Sequence, residues 1–207
     1  MPLMRHLQLK LLFTALLCVL SANASPIPIF STGVNSSGSL AAPGSVDPHW
    51  TVNGTTAYVV PTPTDLGWIG NPANAQWISA DGGGFPDVGT FTYATTFDLT
   101  GFALSNVVID VDLAVDDDAQ VVLNGQNIFS DNLALNTAAW ASFVPYTINS
   151  GLVQGVNTLS VTTFNVGGPG GLLFEAAAVP EPGTLGMLLI GAFAGLAGAL
   201  RRGWRPL

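Results

Sequence analysis

The chain has 207 residues and a formal net charge of −8, and its five basic residues all lie near the two ends: Arg5, Lys10, Arg201, Arg202 and Arg205. Residues 25–178 contain no Lys or Arg but hold twelve of the thirteen carboxylates. A surface of that sign repels phosphate backbones, which excludes nucleic-acid binding and phosphate chemistry for this segment. The single cysteine, Cys18, lies in an N-terminal apolar run, so residues 25–207 offer no thiol for a disulfide or a thiolate metal site.

Residues 1–24 predict a secretory signal peptide. Arg5 and Lys10 give it a positive beginning, residues 11–20 are apolar, and the small residues Ala22 and Ala24 precede an expected cut. The apolar run is only about half as long as a bilayer-spanning helix, which favours cleavage over a retained anchor. We therefore expect the mature chain to start at Ser25.

Residues 25–178 have the length of one domain, and their patterns predict that it is all-β. A lead-in rich in Pro, Gly and Ser covers residues 25–45, where we expect extended chain or an edge strand. Residues 91–99 and 107–114 then alternate between apolar and polar positions, which is typical of strands with one buried face. This period places Asp110 and Asp112 on the outer face of their strand.

A hairpin and three further strands complete the predicted domain. Asn124-Gly125 separates residues 119–123 from 126–129 and predicts a tight type I′ turn, because both central residues of that turn need a positive φ. The remaining strands are expected at residues 142–148, 157–164 and 172–177. Short strands separated by turns predict a β-sandwich or jelly roll.

The densest group of carboxylates is Asp116, Asp117 and Asp118, which follows Asp110 and Asp112 and precedes Asn124. Oxygen ligands in such density suit calcium, which takes six to eight of them. The spacing matches no EF-hand loop, and the outer-face pair need not converge with the turn. Two interpretations stay open: a calcium site at Asp116, Asp117 and Asp118, or solvated carboxylates.

Catalysis has little support in the sequence. A glycosidase needs two carboxyl groups across a cleft, and no feature selects a pair among the twelve. His49 is the only histidine after residue 24, no Gly-x-Ser-x-Gly elbow is present, and a packed, hydrogen-bonded His49 is the simpler interpretation. We therefore expect no enzyme activity, no cofactor other than possible calcium, and no catalytic residues.

Four tryptophans fall in the domain. Trp68, Trp77 and Trp140 lie near predicted turns, where exposed rings would stack on sugar faces, and Trp50 follows His49. The alternative is that these rings fill the core.

Several short segments resemble the galactose-binding-like jelly roll: Asp47-Pro48-His49-Trp50, Gln76-Trp77-Ile78, residues 93–97, Asp116-Asp117-Asp118 with residues 121–125, and residues 155–159. The resemblance covers roughly residues 46–178 and implies a β-sandwich in which the Asp-rich turn and the Asn-Gly hairpin are architectural. It also implies that any glycan is held by variable loops.

The last 29 residues begin with Val179-Pro180-Glu181-Pro182, which is followed by an apolar segment, with a transmembrane helix predicted at 183–200, and then by Arg201 and Arg202. This order resembles a PEP-CTERM sorting signal of Gram-negative bacteria. The positive-inside rule places these arginines in the cytoplasm. The resemblance implies that Pro180, Glu181 and Pro182 are the sorting motif of residues 179–207, recognised by an exosortase-type membrane transpeptidase.

These features predict an exported, non-catalytic protein of the cell surface or extracellular matrix. It would pass through the inner membrane, which its C-terminal helix would cross until processing, and associate with extracellular polysaccharide in a biofilm. Two alternatives remain, a polysaccharide-cleaving hydrolase that uses paired Asp residues and a purely structural spacer.

Overall fold

Ten β-strands form almost all of the regular structure in the computed structural model, which describes residues 27–131 and 139–180. Two short 3-10 helices, Pro63–Leu66 and Leu104–Asn106, are the other elements of these residues. The strands are β1 Val46–Val52, β2 Thr55–Val59, β3 Ile78–Ser79, β4 Gly89–Asp98, β5 Val107–Asp116, β6 Asp118–Leu123, β7 Gln126–Asp131, β8 Val144–Ile148, β9 Val156–Asn165 and β10 Gly171–Pro180.

The strands join in one sheet in the order β7-β6-β9-β4-β1-β2-β3-β10-β5-β8. The longest pairing runs antiparallel between β4 and β9, from Gly89 opposite Asn165 to Asp98 opposite Val156. β6 lies on the other side of β9, and β8 pairs with β5 at the opposite edge. The sequential hairpins β1–β2 and β6–β7 are thus combined with long-range pairings that bring distant segments together.

The main core collects inward side chains from both halves of this sheet. Tyr93 and Val161 come from β4 and β9, whereas Ile109 and Phe174 come from β5 and β10, and all four are buried in one cluster. Since strands far apart in the sheet share one core, the sheet folds over itself in two layers. The described residues are therefore all-β, as the sequence predicted.

The predicted strands and hairpin agree closely with the structure. The alternating run 91–99 corresponds to β4, and residues 107–114 lie within β5 with Asp110 and Asp112 exposed. Asn124 and Gly125 join β6 to β7 with φ values of 50° and 80°, the positive values that a type I′ turn needs.

The lead-in is mostly irregular but firmly attached. Thr32 donates its backbone N–H to the Phe174 carbonyl at 2.9 Å, and Val34 and Leu40 form an isolated bridge. Asp47 accepts the N–H groups of Gly33, His49 and Trp50 at 2.7, 2.8 and 3.0 Å. One buried carboxylate thus fixes both the lead-in and the start of β1.

Candidate functional site

The Asp-rich segment lies where β5 passes into β6, and its first two carboxylates serve different loops. Asp116 is 6% exposed, and its Oδ2 accepts the indole N–H of Trp68 at 2.7 Å. Asp117 Oδ2 accepts the backbone N–H of Val166 at 2.9 Å. Asp116 therefore holds the loop after β2, whereas Asp117 holds the loop after β9.

Burial raises the pKa of Asp116 from 3.8 to about 7. Desolvation is the largest cause, the Trp68 hydrogen bond opposes it, and the neighbouring Asp117 raises it further. The carboxyl group therefore titrates near neutral pH, although it serves as a hydrogen-bond acceptor inside the fold.

The calcium site at Asp116, Asp117 and Asp118 stays a prediction, and the hydrogen bonds of Asp116 and Asp117 do not favour it. Within residues 27–131 and 139–180, no group of three His, Cys, Asp or Glu side chains is placed to hold a metal ion. Asp116 and Asp117 are directed to different loops, and Asp110 and Asp112 lie along the exposed face of β5. The Asp116 and Asp117 carboxyl groups lie close enough to interact, whereas Asp110 and Asp112 lie apart from them along β5.

Two of the three tryptophans expected to stack on glycan are buried. Trp68 and Trp77 are 3% and 0% exposed, and their rings stack on each other with centroids 4.2 Å apart. The Trp77 indole N–H donates to the Ile69 carbonyl at 2.9 Å. Trp140 is half-buried against the same cluster. Trp68 and Trp77 therefore have no free face for a sugar, and the core interpretation holds for both.

These rings form a second, smaller core on the outer face of β5 and β10. Ala114 of β5 and Leu173 of β10 point away from the main core and contact this cluster. The loop between β2 and β3 covers this part of the outer face, and its Asn74 donates to Glu175 Oε1 at 3.2 Å. The second core thus covers one part of the outer face of β5 and β10 and borders the part that remains exposed.

The open part of this face is a groove of about 370 Å³ across β10, β5 and β8. Its lining includes Asp110 and Asp112 of β5, Thr147 of β8 and Glu175 of β10. The Thr147 hydroxyl donates to Asp110 Oδ1 at 2.8 Å. We call it the acidic groove. It favours cations and polar ligands and disfavours anions.

The buried side-chain amide of Asn157, which the sequence patterns did not identify, organises the β6–β7 turn. Asn157 Oδ1 accepts the Asn124 amide at 2.8 Å and the Val153 N–H at 2.9 Å. Its Nδ2 donates to the carbonyls of Val153 and Gly155 at 2.8 and 2.9 Å. Asn124 in turn accepts the Thr158 N–H at 2.9 Å. The available signal was that residues 155–159 and the Asn124-Gly125 turn both lie in segments that resemble the galactose-binding-like jelly roll.

His49 has a packing role. Its ring stacks on Phe30 with centroids 3.6 Å apart, and Nε2 lies 3.0 Å from the Asn35 carbonyl oxygen. This arrangement agrees with the predicted packed and hydrogen-bonded histidine.

The predicted sorting elements lie mostly outside the described residues. Pro180 ends β10, whereas Glu181, Pro182, the signal peptide 1–24 and the helix predicted at 183–200 are not described. In the part of the chain that the structure describes, no helix has the length and apolar character required to cross a bilayer.

The comparisons with known proteins find a family model at the C-terminus. Residues 178–203 match the PEP-CTERM protein-sorting motif, which confirms the resemblance of the tail. No curated protein matches the chain.

Solved structures give weak likenesses. A CBM35 from Paenibacillus barcinonensis is 16% identical with a TM-score of 0.36, over 64% of this chain and 94% of its own. A beta-glucosidase from Kluyveromyces marxianus is 18% identical with a TM-score of 0.30, over 44% of this chain. A GH31 alpha-xylosidase from Xanthomonas citri is 11% identical with a TM-score of 0.29, over 72% of this chain. The matches span only 12% and 15% of these two enzymes.

Proposed function

We propose that this chain is an exported, non-catalytic protein of the cell surface or extracellular matrix whose β-domain associates with extracellular polysaccharide. The observation that carries the proposal is the PEP-CTERM protein-sorting motif at residues 178–203. A Gram-negative host would export the chain through its signal peptide, hold it in the inner membrane by the helix at 183–200, and process it near Pro180 by an exosortase-type transpeptidase.

The character of the β-domain supports a role outside the cell. Residues 25–178 carry no basic residue, so the domain attracts neither nucleic acid nor other phosphate polymers. We assign it a galactose-binding-like jelly roll, on the basis of the two-layer all-β architecture and the segments that resemble that fold.

The environments of the best candidate carboxylates support a non-catalytic role. A hydrolase needs two carboxyl groups facing a substrate, one of them held protonated. Asp116 has the raised pKa that a general acid needs, but it is buried and bonded to Trp68. Its neighbour Asp117 is bonded to the backbone of Val166. Both carboxyl groups therefore stabilise loops of the fold through these hydrogen bonds.

Sorting is tested in a Gram-negative host with and without an exosortase-type transpeptidase. We expect the wild-type chain to leave the inner membrane fraction only when the transpeptidase is present. Glu181→Ala should stay in the membrane fraction, whereas the matched control Glu175→Gln should be sorted normally. Release of Glu181→Ala at the wild-type rate would contradict the sorting role.

Polysaccharide association is tested with the full-length chain in a polyoxyethylene detergent, which contains no sugar that competes. Affinity electrophoresis through gels containing the host's exopolysaccharide should retard the wild-type chain. Release of reducing ends, abolished by Asp117→Asn, would support the hydrolase instead. If the chain is not retarded and no reducing ends are released, the result favours a purely structural spacer.

A further inference from the structure

The outer face of β6, β9 and β4 is broad and almost uncharged. Along β9 the buried Leu159, Val161 and Thr163 point inward, so their neighbours point out. Register places outward residues of β4 and β6 beside those of β9, which makes rows across three strands. The face comprises Val156, Thr158, Ser160, Thr162 and Phe164 of β9, Thr90, Thr92, Ala94, Thr96 and Asp98 of β4, and Asp118, Gln120 and Val122 of β6. We call it the hydroxyl face.

Hydroxyl and amide groups dominate this surface. The Thr92 and Thr162 hydroxyls lie 3.1 Å apart across β4 and β9, and each retains further hydrogen-bonding capacity. The face carries two carboxylates, Asp118 at the start of β6 and Asp98 at the end of β4, and they lie at its opposite ends. Outward residues recur about every 7 Å along a strand and about every 4.8 Å across strands, so polar groups are regularly spaced.

An exposed apolar patch continues one end of the hydroxyl face. Phe164 is 44% exposed opposite Thr90, and the residues just beyond it, Val88 and Val166, are 66% and 50% exposed. The end of β9 and the segment before β4 are joined there, because the Asn165 amide donates to the carbonyls of Pro86 and Asp87 at 3.2 and 3.3 Å. Exposed large apolar side chains that cluster mark an interaction site.

Charge distinguishes the possible occupants of this surface. A second copy would bring two domains together that each carry twelve carboxylates and no Lys or Arg between residues 25 and 178, and they would repel. Anionic polymers would be repelled in the same way, and a cationic partner would be drawn to the acidic groove. An uncharged polymer is neither repelled by the carboxylates nor drawn to the acidic groove by its charge.

We propose that the hydroxyl face and its apolar end bind a polysaccharide of uncharged sugars. This inference rests on the proposed function and names its surface and its ligand class. A sugar ring has an apolar C–H face, which fits against Phe164 and Val88, and hydroxyl edges, which bond to the Thr and Gln rows. In the acidic groove, by contrast, Asp110 and Glu175 already accept from Thr147 and Asn74.

The test is affinity electrophoresis of the full-length chain in the same polyoxyethylene detergent. The probes are galactomannan and hydroxyethyl cellulose as uncharged polymers and alginate as an anionic one. We expect retardation by an uncharged polymer and none by alginate. Phe164→Ala should weaken that binding about tenfold, which is about 1.4 kcal/mol, and Thr162→Val should weaken it by a smaller factor. Thr147→Val on the acidic groove is the matched control.

Each outcome decides one question. If neither the three polymers nor the host's exopolysaccharide retards the wild-type chain, the proposed function fails, and this inference fails with it. If binding persists in Phe164→Ala and Thr162→Val but is lost in Thr147→Val, polysaccharide association stands and the assignment to the hydroxyl face is overturned. Preferential retardation by alginate overturns the ligand class. Light scattering that shows a dimer dissociated by Phe164→Ala overturns the assignment in favour of a second copy.

Discussion

Replacing Asp116 by Asn should remove much of the pH dependence of the domain's stability. The pKa of Asp116 is raised in the fold, so the folded chain binds this proton more tightly than the unfolded chain. Stability from this group is therefore fully present below its unfolded pKa and is lost as pH rises through the folded value. The free energy of unfolding should fall as pH rises from about 4 to about 8.

The magnitude follows from the linkage between proton binding and folding. A rise from 3.8 to about 7 corresponds to about 4 kcal/mol for a fully shielded group. Asp116 keeps a small exposed fraction, so solvent screens part of its charge and we expect about 2 kcal/mol. Asn keeps an oxygen that accepts the Trp68 indole N–H, and it has no proton to exchange.

Urea unfolding of the wild-type and Asp116→Asn chains, followed by tryptophan fluorescence at several pH values, measures this difference. Burial also raises the pKa of Asp47, whereas hydrogen bonds from Thr100 lower that of Asp98, and both groups contribute equally to the two chains. The comparison between the two chains isolates Asp116. Equal slopes in both chains, or a wild-type chain that gains stability with rising pH, would refute the reasoning.

Two further substitutions test the packing that supports the fold. Asn157→Ala should lower the free energy of unfolding by about 3 kcal/mol, because the buried Asn157 amide is removed and partners such as the Val153 N–H lose their hydrogen bonds. The exposed Asn127→Ala is its control in urea melts, and equal losses would contradict the role of the network. Gly33→Ala should cost about 3 kcal/mol, since Gly33 has φ +72° and a Cβ there would lie 2.4 Å from Gln76 Cβ. Gly54 has the same φ with nothing within 4 Å, so Gly54→Ala should cost only about 1 kcal/mol in thermal unfolding; a Gly33→Ala loss no larger than that would contradict the steric argument.

Local patterns predicted strands β4 to β10 well because they depend on neighbouring residues, whereas β1, β2 and β3 were not predicted. The period of two in β4 and β5 identified their buried faces and placed Asp110 and Asp112 outside. The Asn124-Gly125 turn followed from the positive φ that both positions need. These features need no knowledge of which strands become neighbours.

The surroundings of individual side chains were harder to predict, because they depend on long-range pairing. Asp116 is buried by Trp68, which lies 48 positions earlier in the chain. The acidic groove exists only because β10 lies beside β5 in the sheet. Composition alone made Trp68 and Trp77 equally suited to a sugar platform or a core, and their mutual stacking decides for the core.

The position of β10 has a mechanical consequence for anchoring. β10 lies between β3 and β5 within the sheet and ends at Pro180, inside the matched sorting motif at residues 178–203. The last residue described before the tail is therefore the end of an internal strand, which is hydrogen-bonded to β3 near its start at Leu172 and is flanked by β5 on its other side. If the sorted chain is held through its tail, as proposed above, its removal by force requires an interior strand of the sheet to be pulled out, and not an edge strand.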